Sequence, residues 1–313
     1  MKILLTGGTG QVGWELQRTL MTLGEVIPVG RNVTHASLQM DLAQPDTIIR
    51  VVREVRPDLI VNPAAYTNVD KAESEPELAM MVNGIAPGIM AEEAKRLGIA
   101  IVYYSTDYVF DGMSQVPYIE SDSTNPQNVY GQTKLAGEKA IQAIEVPHLI
   151  FRTSWVYGMR GKNFLLTMLK LGQEREELSV VDDQIGAPTW SRAIAEVTAQ
   201  VLTQGLVNLP EFLQDKGGLY HLSARGKTSW YGFAQKIFVH HNDVSVRRSR
   251  VAVRRSRVAV RRLQRLIPIT SDKYPTAAKR PNYSLLDGRK LTENFGLVLP
   301  EWNISLSLAM ARN

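Results

Sequence analysis

The chain has 313 residues, no cysteine and a formal charge of +5. That length suits one large α/β domain or two unequal lobes, and the lack of thiols excludes disulfides, thiolate metal sites and cysteine nucleophiles. No apolar run reaches the ~18 residues of a membrane span, and the apolar start is too brief for a signal peptide, so a cytoplasmic enzyme or binding protein without a membrane partner is expected.

In chain order, "KILLT" (2–6) is a short apolar run ending at glycines, as in a buried parallel strand. Residues 11–24 carry helical spacing and stop at Gly24. A second strand follows at 25–30, with Pro28 awkward for a central ladder. Residues 44–58 read as a helix with Pro45 in its first turn. Strands at 59–65, 100–106 and 148–154 alternate with helices at 77–97 and from Asn128 onward. The pattern predicts an α/β fold, a Rossmann-type doubly wound parallel sheet with a smaller α/β substrate-binding lobe. The first domain is expected over 1–155, with a returning segment near 190–225, and the second lobe over 156–313. In that lobe, helices are expected at 162–174, 190–204, 229–241 and 289–295, and strands at 178–181 and 219–222. Adjacent His240 and His241 lack metal-ligand spacing and read as a surface feature.

Residues 246–266 repeat a seven-residue unit, VRRSRVA, VRRSRVA, VRRLQRL. Nine arginines fall between 247 and 265, and without them the formal charge would be −4. The basicity is therefore local. With no aromatic interleaving, it reads as a solvated insertion rather than a nucleic-acid site.

"TGGTGQVG" (6–13) places Gly7, Gly10 and Gly13 between a strand and a helix. Such a loop turns tightly and lets backbone N–H groups approach a pyrophosphate at the helix N-terminus. The second strand ends at Gly30 and Arg31, with no acid until Asp41. An arginine there pairs with a 2′-phosphate, which predicts NADPH, with NADH as the lesser cofactor. Asp41 and Leu42 are placed to reach the adenine, and Ala64, Ala65, Tyr66 and Thr67 to line the remaining cofactor path.

Ser105, Thr106 and Asp107 close the fourth strand, at the edge where such sheets bind ligands. Tyr130 and Lys134 follow one helical turn apart. An ammonium beside a phenol favours the phenolate, giving a proton donor usable at neutral pH.

The glycine loop, the hydroxyl after the fourth strand and YxxxK together resemble the extended short-chain dehydrogenase/reductase superfamily. The blocks "AAYTNVDKAESEPE", "STDYVFDG", "FRTSWVYG", "DDQIGAPT", "GLYHLSARGKTSW" and "YPTAAKRPNYSLLD" narrow the resemblance to the dTDP-4-dehydrorhamnose reductase family. It implies reduction of a dTDP-sugar, dTDP-4-dehydro-6-deoxy-L-mannose, to dTDP-L-rhamnose. Tyr130 would give the proton, Lys134 would bind the nicotinamide ribose, and Thr106 would hydrogen-bond the reacting oxygen. Gly10, Gln11 and Val12 would hold the pyrophosphate, and Asp107, Tyr108 and Trp155 the sugar. Magnesium is allowed by the resemblance, but Arg192 stands where some relatives place a glutamate and no metal site is legible. Oligomeric state is left open, a homodimer included. The alternatives are a nucleotide-sugar 4-epimerase and a non-catalytic nucleotide-binding regulatory subunit.

Overall fold

The computed structural model describes residues 1–249 and 263–311. Five of the expected strands lie in one sheet: β1 (Lys2–Thr6), β2 (Glu25–Val29), β3 (Leu59–Asn62), β4 (Ala100–Thr106) and β5 (His148–Thr153). The short strands β6 (Val156–Tyr157), β7 (Glu177–Val181), β8 (Ile185–Gly186) and β9 (Thr189–Trp190) lie outside it. Strand β10 (Gly218–His221) returns to its edge, giving the order β10-β5-β4-β3-β1-β2 with parallel pairings throughout.

A sheet covered on both faces needs apolar residues in both registers of each strand. Ile3, Leu5, Leu59, Val61, Val102, Tyr104 and Phe151 face one core, which α1 (Gln11–Leu20) covers. Leu4, Ile60, Ile101, Tyr103 and Ile150 face the other. That second core is closed by α2 (Pro45–Val55) and, beyond the one-turn helices α3 (Val69–Ala72) and α4 (Pro76–Met80), by α5 (Ala86–Leu97) and α6 (Val129–Ile144). After α7 (Phe164–Glu174), helices α8 (Ser191–Gln204) and α9 (Leu209–Lys216) complete the first core.

A third core gathers Tyr157, Leu165, Phe233, Ile237 and Leu306. It packs α7 against α10 (Trp230–Ser249) and, after α11 (Arg289–Phe295), α12 (Trp302–Met310). Strand β11 (Thr228–Ser229) pairs with β8, and β12 (Arg265–Ile269) with β7. Among the described residues no helix is long and apolar enough to cross a membrane. Residues 250–262, most of the expected arginine-rich insertion at 246–266, lie outside the described residues.

Four differences from the sequence expectation have local causes. Helix α1 stops at Leu20, because a turn then brings the Glu25 N–H to the Met1 carbonyl at 2.9 Å. Strand β3 stops at Asn62, before Pro63. Pro28 is tolerated because β2 is the edge strand. The helix expected over 77–97 comes in three pieces, with a π turn at Met81–Ile85 between α4 and α5. Pro87 has no N–H for the carbonyl four residues back, that of Asn83. The Tyr103 hydroxyl donates to that carbonyl instead, at 2.8 Å. Helix α9, α12 and β12 had no counterpart in the sequence expectation.

Tyr103→Phe keeps the ring and removes that donor. It should lower the unfolding free energy by ~1–3 kcal/mol in urea titration, the cost of a stranded buried carbonyl; an unchanged midpoint would show that the carbonyl finds another donor.

Candidate active site

The glycine loop meets the structural demands of a dinucleotide. Gly7 has φ +58°, a left-handed backbone that favours glycine. Its carbonyl accepts from the Gly10 N–H at 2.8 Å, and a Cβ on Gly13 would collide with it. Gly10 opens α1 with no side-chain cap. The first-turn N–H groups and the positive end of the helix dipole are thus left for an anion. At the end of β2, nothing lies within 4 Å of where a Gly30 side chain would begin, and Arg31 is exposed beside that space. A cradle open at the helix N-terminus and a cation at the ribose end fit NADPH.

The other expected cofactor residues lie on the first turn of α1, in the turn before α2 and on the loop after β3. Thr6 Oγ donates to Asn62 Oδ1 at 2.6 Å and accepts from the Ala64 N–H at 3.2 Å, pinning the loop after β3 against Gly7. Ala64, Ala65 and Tyr66 are half-buried and Thr67 is exposed. Asp41 accepts from the Ala43 N–H at 3.0 Å, so one carboxylate oxygen is committed to the turn before α2, while Leu42 packs on the core beneath. Val12 packs on the opposite core. Gln11 Oε1 accepts from Asn163 Nδ2 at 2.8 Å, and Asn163 Oδ1 caps α7 by accepting from the Leu166 N–H at 3.0 Å. That cap ties the loop before α7 to the glycine loop.

Asn128 caps α6 by accepting from the Gly131 N–H at 2.8 Å. Tyr130 follows at once, and its ring meets Tyr108 edge-on with centroids 5.6 Å apart. Thr106 Oγ donates to Asp107 Oδ1 at 3.0 Å and accepts from the Tyr108 N–H at 3.2 Å. Buried Asn83, missed in the sequence, joins these elements. Its Oδ1 accepts from the Tyr66 N–H at 2.8 Å, and its Nδ2 donates to the Tyr66 carbonyl and to Thr133 Oγ, both at 3.1 Å. Thr133 in turn donates to the Tyr130 carbonyl at 2.9 Å. The cofactor path and the tyrosine helix are therefore one hydrogen-bonded unit.

The electrostatics differ from the sequence expectation of a phenol acidified by its lysine. Tyr130 keeps some surface, yet burial around its hydroxyl pushes it up to about 12, with the Thr106 hydroxyl opposing and Asp107 adding to the rise. Lys134 is 1 % exposed. Burial pulls its ammonium down to about 7, with Glu138 opposing. Both groups are driven toward their neutral forms, because loss of solvation outweighs the hydrogen bond and charge that oppose it.

Asp107 is buried and its carboxyl is pushed up to about 7 by desolvation, with the neighbouring hydroxyls of Ser284 and Thr106 opposing. Arg280 donates to Asp70 Oδ2 at 2.8 Å, bringing the late "RPNYS" block to α3. Trp155 has φ +47° and stacks on Trp230 with centroids 3.6 Å apart. Such a φ on a bulky residue is strained. Trp230 escaped the sequence reading, although it closes the quoted "GKTSW" block. Arg192 is paired with Glu196, Nε to Oε1, at 2.7 Å. Among the described residues no group of three or more His, Cys, Asp or Glu side chains is placed to hold a metal ion.

The whole chain, residues 1–313, matches the family model described as RmlD substrate binding domain. It is 46% identical to the dTDP-4-dehydrorhamnose reductase of Burkholderia thailandensis, over 99% of this chain and 98% of that protein. It is also 46% identical to the enzyme of that name from Escherichia coli K12, over 98% and 96%. A solved dTDP-4-dehydrorhamnose reductase from Bacillus anthracis, in complex with NADP, superimposes with TM-score 0.83 at 33% identity, covering 98% of each chain. A Thermus thermophilus UDP-glucose 4-epimerase superimposes at TM-score 0.76 over 99% of this chain and 98% of that one, but with 16% identity it shares the fold alone.

Asp107 binds a proton in the folded chain at pH values where the unfolded chain has lost it. Its contribution to stability is therefore lost as pH rises from about 4 to about 7. Asp107→Asn should raise the unfolding free energy by ~2–4 kcal/mol at pH 8 and not at pH 4. Denaturant midpoints at the two pH values measure this, and an equal effect at both would reject it.

Proposed function

This chain belongs to the RmlD substrate binding domain family, and we infer that it reduces dTDP-4-dehydrorhamnose to dTDP-L-rhamnose with hydride from NADPH. The observation that carries the reading is the convergence of Thr106, Tyr130 and Lys134 at the carboxyl edge of the sheet, hydrogen-bonded through Asn83 to the cofactor path. The reaction belongs to the supply of activated rhamnose for polysaccharides such as lipopolysaccharide. Residues 1–155, with the strand returning near 218–221, serve the cofactor in this reading, and 156–313 the sugar nucleotide. The same reading places the enzyme in the cytoplasm.

NADPH, when bound, supplies the hydride for the 4-keto carbon. Gly7, Gly10, Gln11, Val12 and Gly13 would hold its pyrophosphate, and Arg31 its 2′-phosphate. Tyr130, its hydroxyl pushed up to about 12, keeps its proton at neutral pH and delivers it to the substrate oxygen as negative charge develops there. Thr106 has one proton, which points to Asp107 and turns to the substrate oxygen as the sugar seats. Lys134 takes the nicotinamide ribose, and as an ammonium it opposes the rise in the tyrosine. Tyr108 and Asp107 flank the sugar, and Trp155 offers it a flat apolar face.

NADPH oxidation, followed at its absorbance band with dTDP-4-dehydrorhamnose as acceptor, should be stoichiometric with product. A 4-epimerase would consume none. Tyr130→Phe should lower kcat by ~10²–10⁴ with NADPH binding unchanged; full turnover would reject the assignment and favour a binding subunit. Arg31→Ala should raise KM for NADPH about tenfold and leave KM for NADH unmoved. A parallel rise in both would return Arg31 to the surface.

A further inference from the structure

Beneath Tyr130 and Lys134 lies a buried group of charges that the reaction as described does not use. Glu138 is one helical turn beyond Lys134 on α6. Its Oε1 accepts from Arg152 Nε at 3.0 Å and from Ser105 Oγ, and its Oε2 accepts from Arg152 at 2.7 Å. The ion pair is almost sealed, with side chains 5 % and 2 % exposed. Ser105, Arg152 and His221 stand opposite one another across β4, β5 and β10, one row below Thr106.

A sealed, bidentate ion pair is weak evidence for stability, since apolar residues of similar shape often serve as well. Its position suggests another use. Lys134 Nζ lies 4.0 Å from the centroid of the Tyr103 ring, a surface that attracts a cation but hydrates it poorly. It overlies Tyr103 on β4 and stands between Tyr130, one turn earlier on α6, and Glu138, one turn later. Ser105 and Arg152 bond Glu138, His221 on β10 stands beside Arg152, and Asp107 lies two residues beyond Ser105. Tyr103 is held neutral by burial, and burial together with Arg152 holds His221 neutral. Arg152 is a second cation. Asp107 is the second carboxyl, and it lies nearer the tyrosine than the lysine in effect: it acts on Tyr130, whereas the charge acting on Lys134 is that of Glu138.

We propose that Glu138 is a positioning residue for the reduction, the carboxylate that Arg152 and Ser105 lock in place so that the buried Lys134 stays an ammonium. The inference rests on the reading of Lys134 given above. It also accounts for Arg152, whose fork fixes both carboxylate oxygens and stops Glu138 from turning to pair with Lys134 directly. A lysine in direct contact with a carboxylate would be less available to a ribose and a phenol.

The single variant Glu138→Gln would strand Arg152 as an unpaired buried charge, so the neutral pair Glu138→Gln with Arg152→Met is the test. In protein labelled with ¹³C at the lysine ε-carbon, the Lys134 signal, assigned by its loss in Lys134→Met, is titrated without cofactor. In the double variant it should titrate about one pH unit or more below the wild type, and the high-pH limb of kcat/KM should move down with it. A wild-type midpoint in the double variant would overturn the inference and leave the ion pair a matter of packing. Lys134→Met separates this from the underlying reading. If it turns over normally, the assignment of Lys134 fails and the inference with it. If it is inactive while the double variant titrates like the wild type, the inference alone fails.

Discussion

The close approach of α6 to β4 and to the π turn sets the conditions for everything at the site. Two glycines on α6 permit it. A Cβ on Gly131 would collide with the Tyr108 carbonyl, and one on Gly137 with the Asn83 carbonyl. With the helix this near, Tyr130 sits beside Thr106, and Lys134 is buried against the ring of the equally buried Tyr103. Any side chain at either glycine would tilt or lift the helix. The YxxxK spacing supplies two functional groups; the glycines beside it supply their environment.

That environment has opposite effects on the groups it encloses. Dense packing makes the phenol a firm holder of its proton, which suits a reductase that must deliver one. The same packing penalises the ammonium and the carboxylate of Asp107, both of which are driven toward neutrality near pH 7. A fold optimised for stability alone would keep neither. The strained Trp155 belongs with them, its left-handed backbone held by stacking on Trp230 and by the glycine at 186 packed under its indole. Trp155 and Asp107 lie just past the carboxyl ends of β5 and β4, where a ligand can recover their cost.

Much of the fold was legible because its signals are local. Short unbroken apolar runs in β1, β3 and β4 and helical spacing in α2 and α6 are properties of contiguous sequence. The residues expected at the site were legible for a related reason, since Gly7 to Gly13 and Tyr130 to Lys134 are local patterns. What escaped was long-range polar pairing. Asn83 meets Thr133 across 50 positions, Ser105 meets Glu138 across 33, and Gln11 meets Asn163 across 152. No window on the sequence contains both partners. Helix α12 escaped for another reason, being apolar on most sides and so without a period to read. The direction of the Tyr130 shift was misread because spacing reports which groups are neighbours and not how much water they keep.

The same long-range pairing joins the late segment of the chain to the tyrosine helix. Asp70 accepts from the Ala278 N–H at 3.2 Å and from Arg280 at 2.8 Å. Asn128 is used at both ends: its Oδ1 caps α6 and its Nδ2 donates to the Lys279 carbonyl at 2.8 Å. An amide bonded on both sides cannot follow one partner without leaving the other. Residues 278–280 and the first turn of α6 are therefore held in one geometry, and the block that carries Ser284 to Asp107 is registered against Tyr130 rather than free to settle independently. The distance between the Asp107 carboxyl and the Tyr130 hydroxyl is thus set by side chains far apart in sequence, and the short motifs that mark the site have their geometry fixed by residues that no motif contains.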